Sequence, residues 1–197
     1  MDGFMQMINT IADVYRPGEK VRGLIYDAIV VICGSLLVAL SAQLKFYLPF
    51  SPVPVTAQTF VVLVLGLLLG SRRGALTMLA YITEGALGLP VFAGGIGLAV
   101  LAGPTGGYLF GFVVSAYVVG LLAEMGWDRK SVTTVAAMIL GDVILLTFGF
   151  TWFAVLTNIK TAFIAGFASF IPGDIIKIMV AAIVLPGLWK IAASRKQ

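Results

Sequence analysis

The chain has 197 residues, of which 60% are hydrophobic and only 11% are charged, and its mean hydropathy is +1.05. A soluble domain of this length could not bury that much apolar surface, so lipid must be the solvent for most of it. We attribute the net charge of +4 to the basic residues that set the orientation of a membrane protein. We therefore expect no nucleic-acid partner.

Six apolar segments follow one another along the chain, and the basic residues between them alternate in position. The segments are Leu24–Leu44, Val55–Leu69, Ala75–Leu87, Tyr108–Met125, Val132–Phe150 and Asp174–Leu188. Ten of the 13 Lys and Arg residues flank these segments on one side, whereas only Lys45 and Lys160 lie in connections on the other. By the positive-inside rule, this pattern predicts an all-α membrane protein with six transmembrane helices and both termini in the cytoplasm.

The predicted organisation has three parts. Residues 1–23 form a cytoplasmic or interfacial segment, residues 24–190 form the six-helix domain, and residues 191–197 form a cytoplasmic tail. Met1–Asp13 has apolar residues at helical spacing, which fits either an interfacial helix or a frayed terminus. The second and third apolar segments are shorter than the roughly 20 residues that span a bilayer. They either extend into the flanking loops or lie inside the bundle, shielded from lipid.

Few side chains are available for catalysis or metal binding. The chain has no His and one Cys, and its carboxylates are scattered over different segments. We therefore expect no enzyme, no metal site and no cofactor. Cys33 is interpreted as a small buried side chain of the first helix. The ATP-binding pattern G-x-x-x-x-G-K-[ST] is absent from the sequence, so any uphill transport must take its energy from a partner or an ion gradient.

Small residues recur at helical spacing in two segments. In the fourth segment and just before it, a small residue occurs at every fourth position. These residues are Gly103, Gly107, Gly111 and Ser115. Such a stripe lets helix backbones approach closely in lipid, and we predict that it packs inside the bundle rather than against a partner. Ser35 and Ala39 form a shorter stripe in the first helix, where interior and exterior packing are both open.

The two long connections on the outer side differ from the short, basic inner ones. Lys45–Thr56 and Gly88–Gly107 are nearly uncharged and rich in Pro, Gly and aromatic residues. Prolines stiffen the first of them into an extended segment. We predict that both loops cap a ligand cavity that opens outward, although re-entrant structure that only seals the bundle is the alternative.

Ionisable residues inside apolar segments are costly and usually have partners. Glu84 and Asp142 are interpreted as hydrogen-bonded packing residues, with a proton or cation site as the alternative. Asp174 and Lys177 lie three residues apart on one helical face, directly after Ile171-Pro172-Gly173. Such a pair could be a structural ion pair. We favour a donor and acceptor for a polar ligand group in an otherwise apolar pocket.

Four motifs in this order resemble the signatures of the BioY family. They are Pro52-Val53-Pro54-Val55-Thr56-x-Gln58-Thr59, Tyr81-x-x-x-Gly85-x-x-Gly88-x-Pro90-Val91-Phe92, Gly103-Pro104-Thr105-Gly106-Gly107-Tyr108-Leu109-x-Gly111-Phe112 and Pro172-Gly173-Asp174-x-x-Lys177. The resemblance covers most of the membrane region. It implies a biotin-capturing S component of an energy-coupling factor (ECF) transporter in the plasma membrane, associated with a transmembrane coupling protein and two ATPases.

The resemblance also implies roles for particular residues. Asp174 and Lys177 would bind biotin, and Ser35 and Ala39 would face the coupling protein. The expected walls of the biotin site are Tyr81, Phe92, Tyr108, Gln58 and the aromatic residues of the first outer loop, with ordinary packing as the alternative role of the aromatic residues. Asp174 can accept a hydrogen bond from a ureido N–H, while Lys177 can donate to the ureido oxygen or pair with the carboxylate. The alternatives are an S component for another vitamin and a small ion-coupled secondary transporter, for which inverted repeats are not evident.

Overall fold

The structure is a computed structural model, and it describes residues 10–194. Within that range the chain forms long helices, short helical turns and one pair of two-residue strands. In chain order the elements are α1 Ile11–Tyr15, α2 Lys20–Gln43, β1 Lys45–Phe46, β2 Val55–Thr56, α3 Gln58–Leu69, α4 Ser71–Ala86, α5 Leu98–Ala102, α6 Gly106–Glu124, α7 Ser131–Leu156, α8 Ile159–Phe163, a π-helical turn Ile164–Ala168 and α9 Ile171–Ser194.

Each of the six apolar segments overlaps one helix of at least 12 residues, and these helices are α2, α3, α4, α6, α7 and α9. Among the described residues, four stretches are long and apolar enough to cross a membrane: α2, α6, α7 and the run Ile159–Ala192, which includes α8, the π-helical turn and most of α9. The protein is therefore a predominantly helical membrane protein.

Helix α2 begins at Lys20 and α9 continues to Ser194, so both helices extend beyond the predicted borders of the membrane domain. Residues 1–9 of the predicted interfacial segment, and residues 195–197 of the tail, lie outside the described residues.

Helix α3 is short because it lies inside the bundle. It has 12 residues, and most of its side chains are buried against neighbouring helices, chiefly α4 and α6. A helix surrounded by protein need not match the thickness of the bilayer. The short second segment is therefore explained by its position inside the bundle, and not by an extension into the flanking loops. A single residue, Gly70, joins α3 to α4 with a φ of 84°, a left-handed conformation that favours glycine.

The small-residue stripe of α6 packs against α7. A Cβ atom at Gly107 would lie 2.2 Å from the Cβ of Trp152, and one at Gly111 would lie 3.0 Å from the carbonyl oxygen of Leu145. Ser115 is fully buried on the same helix. The prediction of internal packing is confirmed for Gly107, Gly111 and Ser115. Gly103 lies before α6, where an added Cβ atom would meet the carbonyl oxygens of Ala99 and Val100 instead. Close contact between the α6 and α7 backbones thus forms one wall of the bundle.

Ion pairs and hydrogen bonds of charged side chains connect helix ends on the side of the bundle where most basic residues lie. Arg16 and Arg73 both pair with Asp27, with N–O distances of 2.9 and 2.7 Å. Glu124 accepts hydrogen bonds from the backbone N–H and the hydroxyl of Ser71, at 2.8 and 2.7 Å. The start of α2, the start of α4 and the end of α6 therefore meet at one end of the bundle.

Three side chains of α2 differ in exposure from what was expected. The family resemblance placed Ser35 and Ala39 toward the coupling protein, and Cys33 was predicted to be buried. Ser35 is fully buried and Ala39 is 9% exposed, so in this structure neither is available to a partner. Ser35 Oγ donates to Glu84 Oε1 at 2.7 Å, which fits the packing interpretation of Glu84. Cys33, predicted to be buried, is exposed. The exposed side of α2 also carries Leu40, so this face is apolar and suited to lipid.

Candidate ligand-binding site

A cavity of about 40 Å³ lies where α3, α4 and α6 meet the two long loops. Its lining combines apolar, aromatic and small polar residues. They are Val53, Pro54, Thr56, Gln58, Thr59, Tyr81, Phe92, Ala93, Gly94, Val100, Thr105, Tyr108, Leu109, Phe112 and Phe170. None of these side chains carries a charge at neutral pH. The cavity is thus an apolar space with a few hydrogen-bonding groups in its walls.

Gln58 and Tyr81 form the polar wall of the cavity. Gln58 Nε2 donates to the Tyr81 hydroxyl at 2.8 Å, and that hydroxyl donates to the carbonyl oxygen of Val91 at 3.1 Å. Both side chains are almost fully buried. This chain of hydrogen bonds fixes the first turn of α3, the middle of α4 and the second loop relative to one another.

Aromatic rings form the apolar walls. Phe92 meets Tyr81 edge to face, with ring centroids 5.5 Å apart, and it packs directly over Gly85. Tyr108 stacks on Phe170 with centroids 5.6 Å apart, and its hydroxyl donates to the carbonyl oxygen of Gly166. Phe170 was not predicted as a wall residue. Its place directly before Ile171-Pro172-Gly173 is the one signal in the sequence that could have indicated it.

Asp174 and Lys177 lie behind this wall rather than in it. Lys177 Nζ donates to Asp174 Oδ1 and to Thr59 Oγ1, at 2.7 Å each, and Thr59 Oγ1 donates to Asp174 Oδ1 at 3.1 Å. Thr59 itself lines the cavity. Four predicted site residues therefore share one cavity, while the predicted ion pair is one hydrogen bond away from it. Asp142 borders the same narrow space as the pair.

Comparison with known proteins identifies the family. The sequence profile of the BioY family matches residues 12–194. The chain belongs to the BioY family.

Similar proteins include biotin transporters of the same family. The biotin transporter BioY of Rhizobium etli is 39% identical over 158 residues, covering 76% of this chain and 84% of the relative. That of Thermotoga maritima is 41% identical over 152 residues, covering 75% and 88%. The fold matches the crystal structure of the S component for biotin from an ECF-type ABC transporter, with a TM-score of 0.74 and 27% identity over 87% of this chain and 92% of that one.

In this BioY-family protein, Asp174 combines burial with unused hydrogen-bonding capacity. It lies in the first turn of α9, where the helix dipole favours a negative charge. The residue is 3% exposed, and its Oδ2 atom has no hydrogen-bond partner within residues 10–194. A buried acceptor of this kind next to an ammonium group suits a ligand group that contains both N–H donors and a carbonyl oxygen.

Both long loops of this BioY-family protein contribute to the cavity. In the first loop, Lys45 pairs with Thr56 and Phe46 with Val55 in a short antiparallel ladder. Ser51 at its tip donates to the carbonyl oxygen of Ala165 at 2.8 Å. The second loop contains the helical turn α5, which the sequence did not predict. Since both loops contact the bundle through specific hydrogen bonds, they are ordered walls of the cavity rather than solvated linkers.

Proposed function

We propose that this chain is the biotin-capturing S component of an ECF transporter. The observation that carries the proposal is a cavity with aromatic walls whose polar edge, at Thr59, is bonded to the buried Asp174–Lys177 pair. Membership of the BioY family, the names of its relatives and the fold of the solved S component for biotin support it. The role is transport rather than catalysis.

Biotin matches this arrangement chemically. Its ureido group offers two N–H donors and a carbonyl acceptor, its thioether ring is apolar, and its tail ends in a carboxylate. Asp174 Oδ2 can accept from a ureido N–H, and Lys177 can donate to the ureido oxygen or pair with the carboxylate. The rings of Phe92, Tyr108 and Tyr81 would enclose the bicyclic core, and the Gln58 amide would provide a further hydrogen bond.

The walls of the cavity must move for biotin to enter. Pockets for small molecules typically measure about 300–1,000 Å³, whereas this cavity measures about 40 Å³. The two outer loops are the elements able to separate, since they are joined to each other and to the bundle by a few hydrogen bonds. We propose that they act as a lid that closes over the ligand.

The proposed topology has six transmembrane helices in the plasma membrane, with both termini in the cytoplasm. It is supported by the bias of basic residues and by the charged contacts that gather the same helix ends. A transmembrane coupling protein and two ATPases would supply the energy, consistent with the lack of an ATP-binding loop in the sequence. In this arrangement the cavity opens to the outside.

A calorimetric titration of the detergent-purified chain tests the proposal. Biotin, lipoate, thiamine and riboflavin are titrated separately, without nucleotide. We expect heat of binding with biotin alone. Binding of another vitamin in place of biotin would make the chain an S component of different specificity. If none of them binds, and labelled biotin enters vesicles containing the chain alone only when an ion gradient is imposed, the S-component proposal is wrong.

A further inference from the structure

An anionic ligand has no counter-charge within the cavity itself. The lining residues are all uncharged, so a carboxylate buried among them would lack a cation to compensate its lost hydration. Among residues 10–194, two basic side chains bond directly to lining residues. Lys177 bonds to Thr59 from the inner side, and Lys45 bonds to Ala93 from the outer side.

The two ammonium groups differ in what they already bind. Lys177 pairs with a buried carboxylate, Asp174, so its charge is compensated. Lys45 Nζ donates to the neutral carbonyl oxygen of Ala93 at 2.7 Å, and no acidic side chain in the described part of the chain forms an ion pair with it. Lys45 therefore retains an uncompensated positive charge and two further N–H donors.

The position of Lys45 at the rim of the cavity is fixed by the first loop. Its backbone pairs with that of Thr56, a lining residue. Two residues further along, the Tyr47 hydroxyl donates to the same carbonyl oxygen of Ala93 at 3.3 Å. Side chains two residues apart in extended backbone point the same way, which explains why both reach Ala93. A cation and a hydroxyl donor thus converge on one acceptor at the outer edge of the cavity.

We infer that Lys45, assisted by Tyr47, binds the carboxylate of the ligand at the outer rim. The carboxylate would replace the Ala93 carbonyl as the acceptor, which exchanges a neutral hydrogen bond for a charge-assisted one. This inference rests on the proposed function, and it decides between the two poses left open there. With the tail bound at the rim, the ureido group faces Thr59 and the Asp174–Lys177 pair.

The test compares two ligands that differ only in the charge of the tail. Biotin and biotin methyl ester are titrated into the purified wild-type chain and into the Lys45→Met variant. We expect Lys45→Met to weaken biotin binding about tenfold, since one partly exposed charge-assisted contact is lost, and to leave ester binding unchanged. The wild type should prefer biotin to the ester by a similar factor. Tyr47→Phe should show the same pattern with a smaller loss.

Lys160→Met is the matched control, because Lys160 is the other basic residue predicted on the outer side and does not line the cavity. It should bind both ligands as the wild type does. The inference is overturned if Lys45→Met binds biotin with unchanged affinity. It is also overturned if both ligands weaken equally, because Lys45 then only holds the second loop. Wild-type protein that binds neither ligand would instead refute the proposed function.

Discussion

Thr59 Oγ1 lies 2.7 Å from Lys177 Nζ, so the wall of the cavity is bonded directly to an ammonium group on α9. The same hydroxyl donates to Asp174 at 3.1 Å. Thr59 therefore uses its acceptor and its donor to join the two charged groups. The pair does not line the cavity, so in the proposed biotin site it acts on the ligand next to Thr59 or through Thr59 itself.

Thr59→Val removes this connection while nearly preserving side-chain shape. We expect the variant to weaken biotin binding by about 1.5–3 kcal/mol, the range for a hydrogen bond to a charged group. Thr59→Ser keeps the hydroxyl and should bind nearly as the wild type does. Calorimetry on both variants measures the effect. Equal loss in the two would show that the methyl group, and hence packing, is what matters at this position.

Asp174→Asn and Lys177→Met each leave one charge of a largely buried pair without its partner. We expect each single variant to lower thermal stability as well as biotin affinity, because an unpaired buried charge is costly. The double variant should recover stability, since both charges are gone, but should still bind biotin weakly. Thermal unfolding and calorimetry on all three separate the two effects. A double variant that is stable and binds biotin fully would place the ligand site elsewhere.

Much of this architecture follows from the sequence because hydropathy and charge report on the membrane directly. The six apolar segments located the corresponding helices to within a few residues at most ends. The stripe through Gly111 predicted close packing inside the bundle, but not that α7 is the helix it contacts. The family motifs selected Gln58, Tyr81, Phe92 and Tyr108, which do share one cavity. Their grouping could not be derived from spacing alone, since they come from three helices and a loop.

Other features depend on tertiary contacts that local patterns do not encode. Ser35 has the spacing of an interface residue, yet a hydrogen bond to Glu84, 49 residues away, fixes it in the interior. The bond from Lys45 to Ala93 spans 48 residues and joins two loops without a repeating pattern. The pairing of Asp174 with Thr59, 115 residues apart, is equally non-local.

The contact between α6 and α7 should be sensitive to side-chain size at Gly111. A Cβ there already lies 3.0 Å from Leu145 O and Phe148 Cβ, so Gly111→Val must force the helices apart. We expect a loss of about 1–3 kcal/mol in stability, typical of overpacking. Gly187→Ala is the control, because nothing lies within 4 Å of its added methyl group. Its unfolding temperature should stay the same or rise slightly; similar losses in both variants would contradict the close packing.

The burial of Ser35 can be tested against a role in partner binding. Ser35→Leu adds volume at a fully buried site and should destabilise the isolated subunit by about 1–3 kcal/mol. Cys33→Leu makes a comparable enlargement at an exposed position on the same helix and should leave stability unchanged. Thermal unfolding of the purified chain measures both. If Ser35→Leu unfolded like the wild type yet failed to associate with the coupling protein, Ser35 would face that partner as the family resemblance implied.

Asp128 links the connection between α6 and α7 to the end of α9. It is fully buried, and Trp189 Nε1 donates to its Oδ2 at 2.6 Å. Its Oδ1 atom has no hydrogen-bond partner among the described residues. Arg129 lies over the Trp189 ring, 4.6 Å from the ring centroid. Burial raises the pKa of the Asp128 carboxyl above its ordinary value, and the Trp189 hydrogen bond and the Arg129 charge oppose that rise only in part.

A raised folded-state pKa means that the folded protein holds this proton more tightly than the unfolded chain does. The resulting stabilisation is complete below the unfolded pKa, about 3.9 for Asp, and is lost as the pH rises through the folded value. Asp128→Asn cannot ionise, so its unfolding temperature should rise relative to that of the wild type as the pH rises above about 4. Glu19→Gln, which changes an exposed acid, should show no such trend. A wild type that instead gains stability over Asp128→Asn as the pH rises would show that Trp189 and Arg129 stabilise the carboxylate more than burial disfavours it.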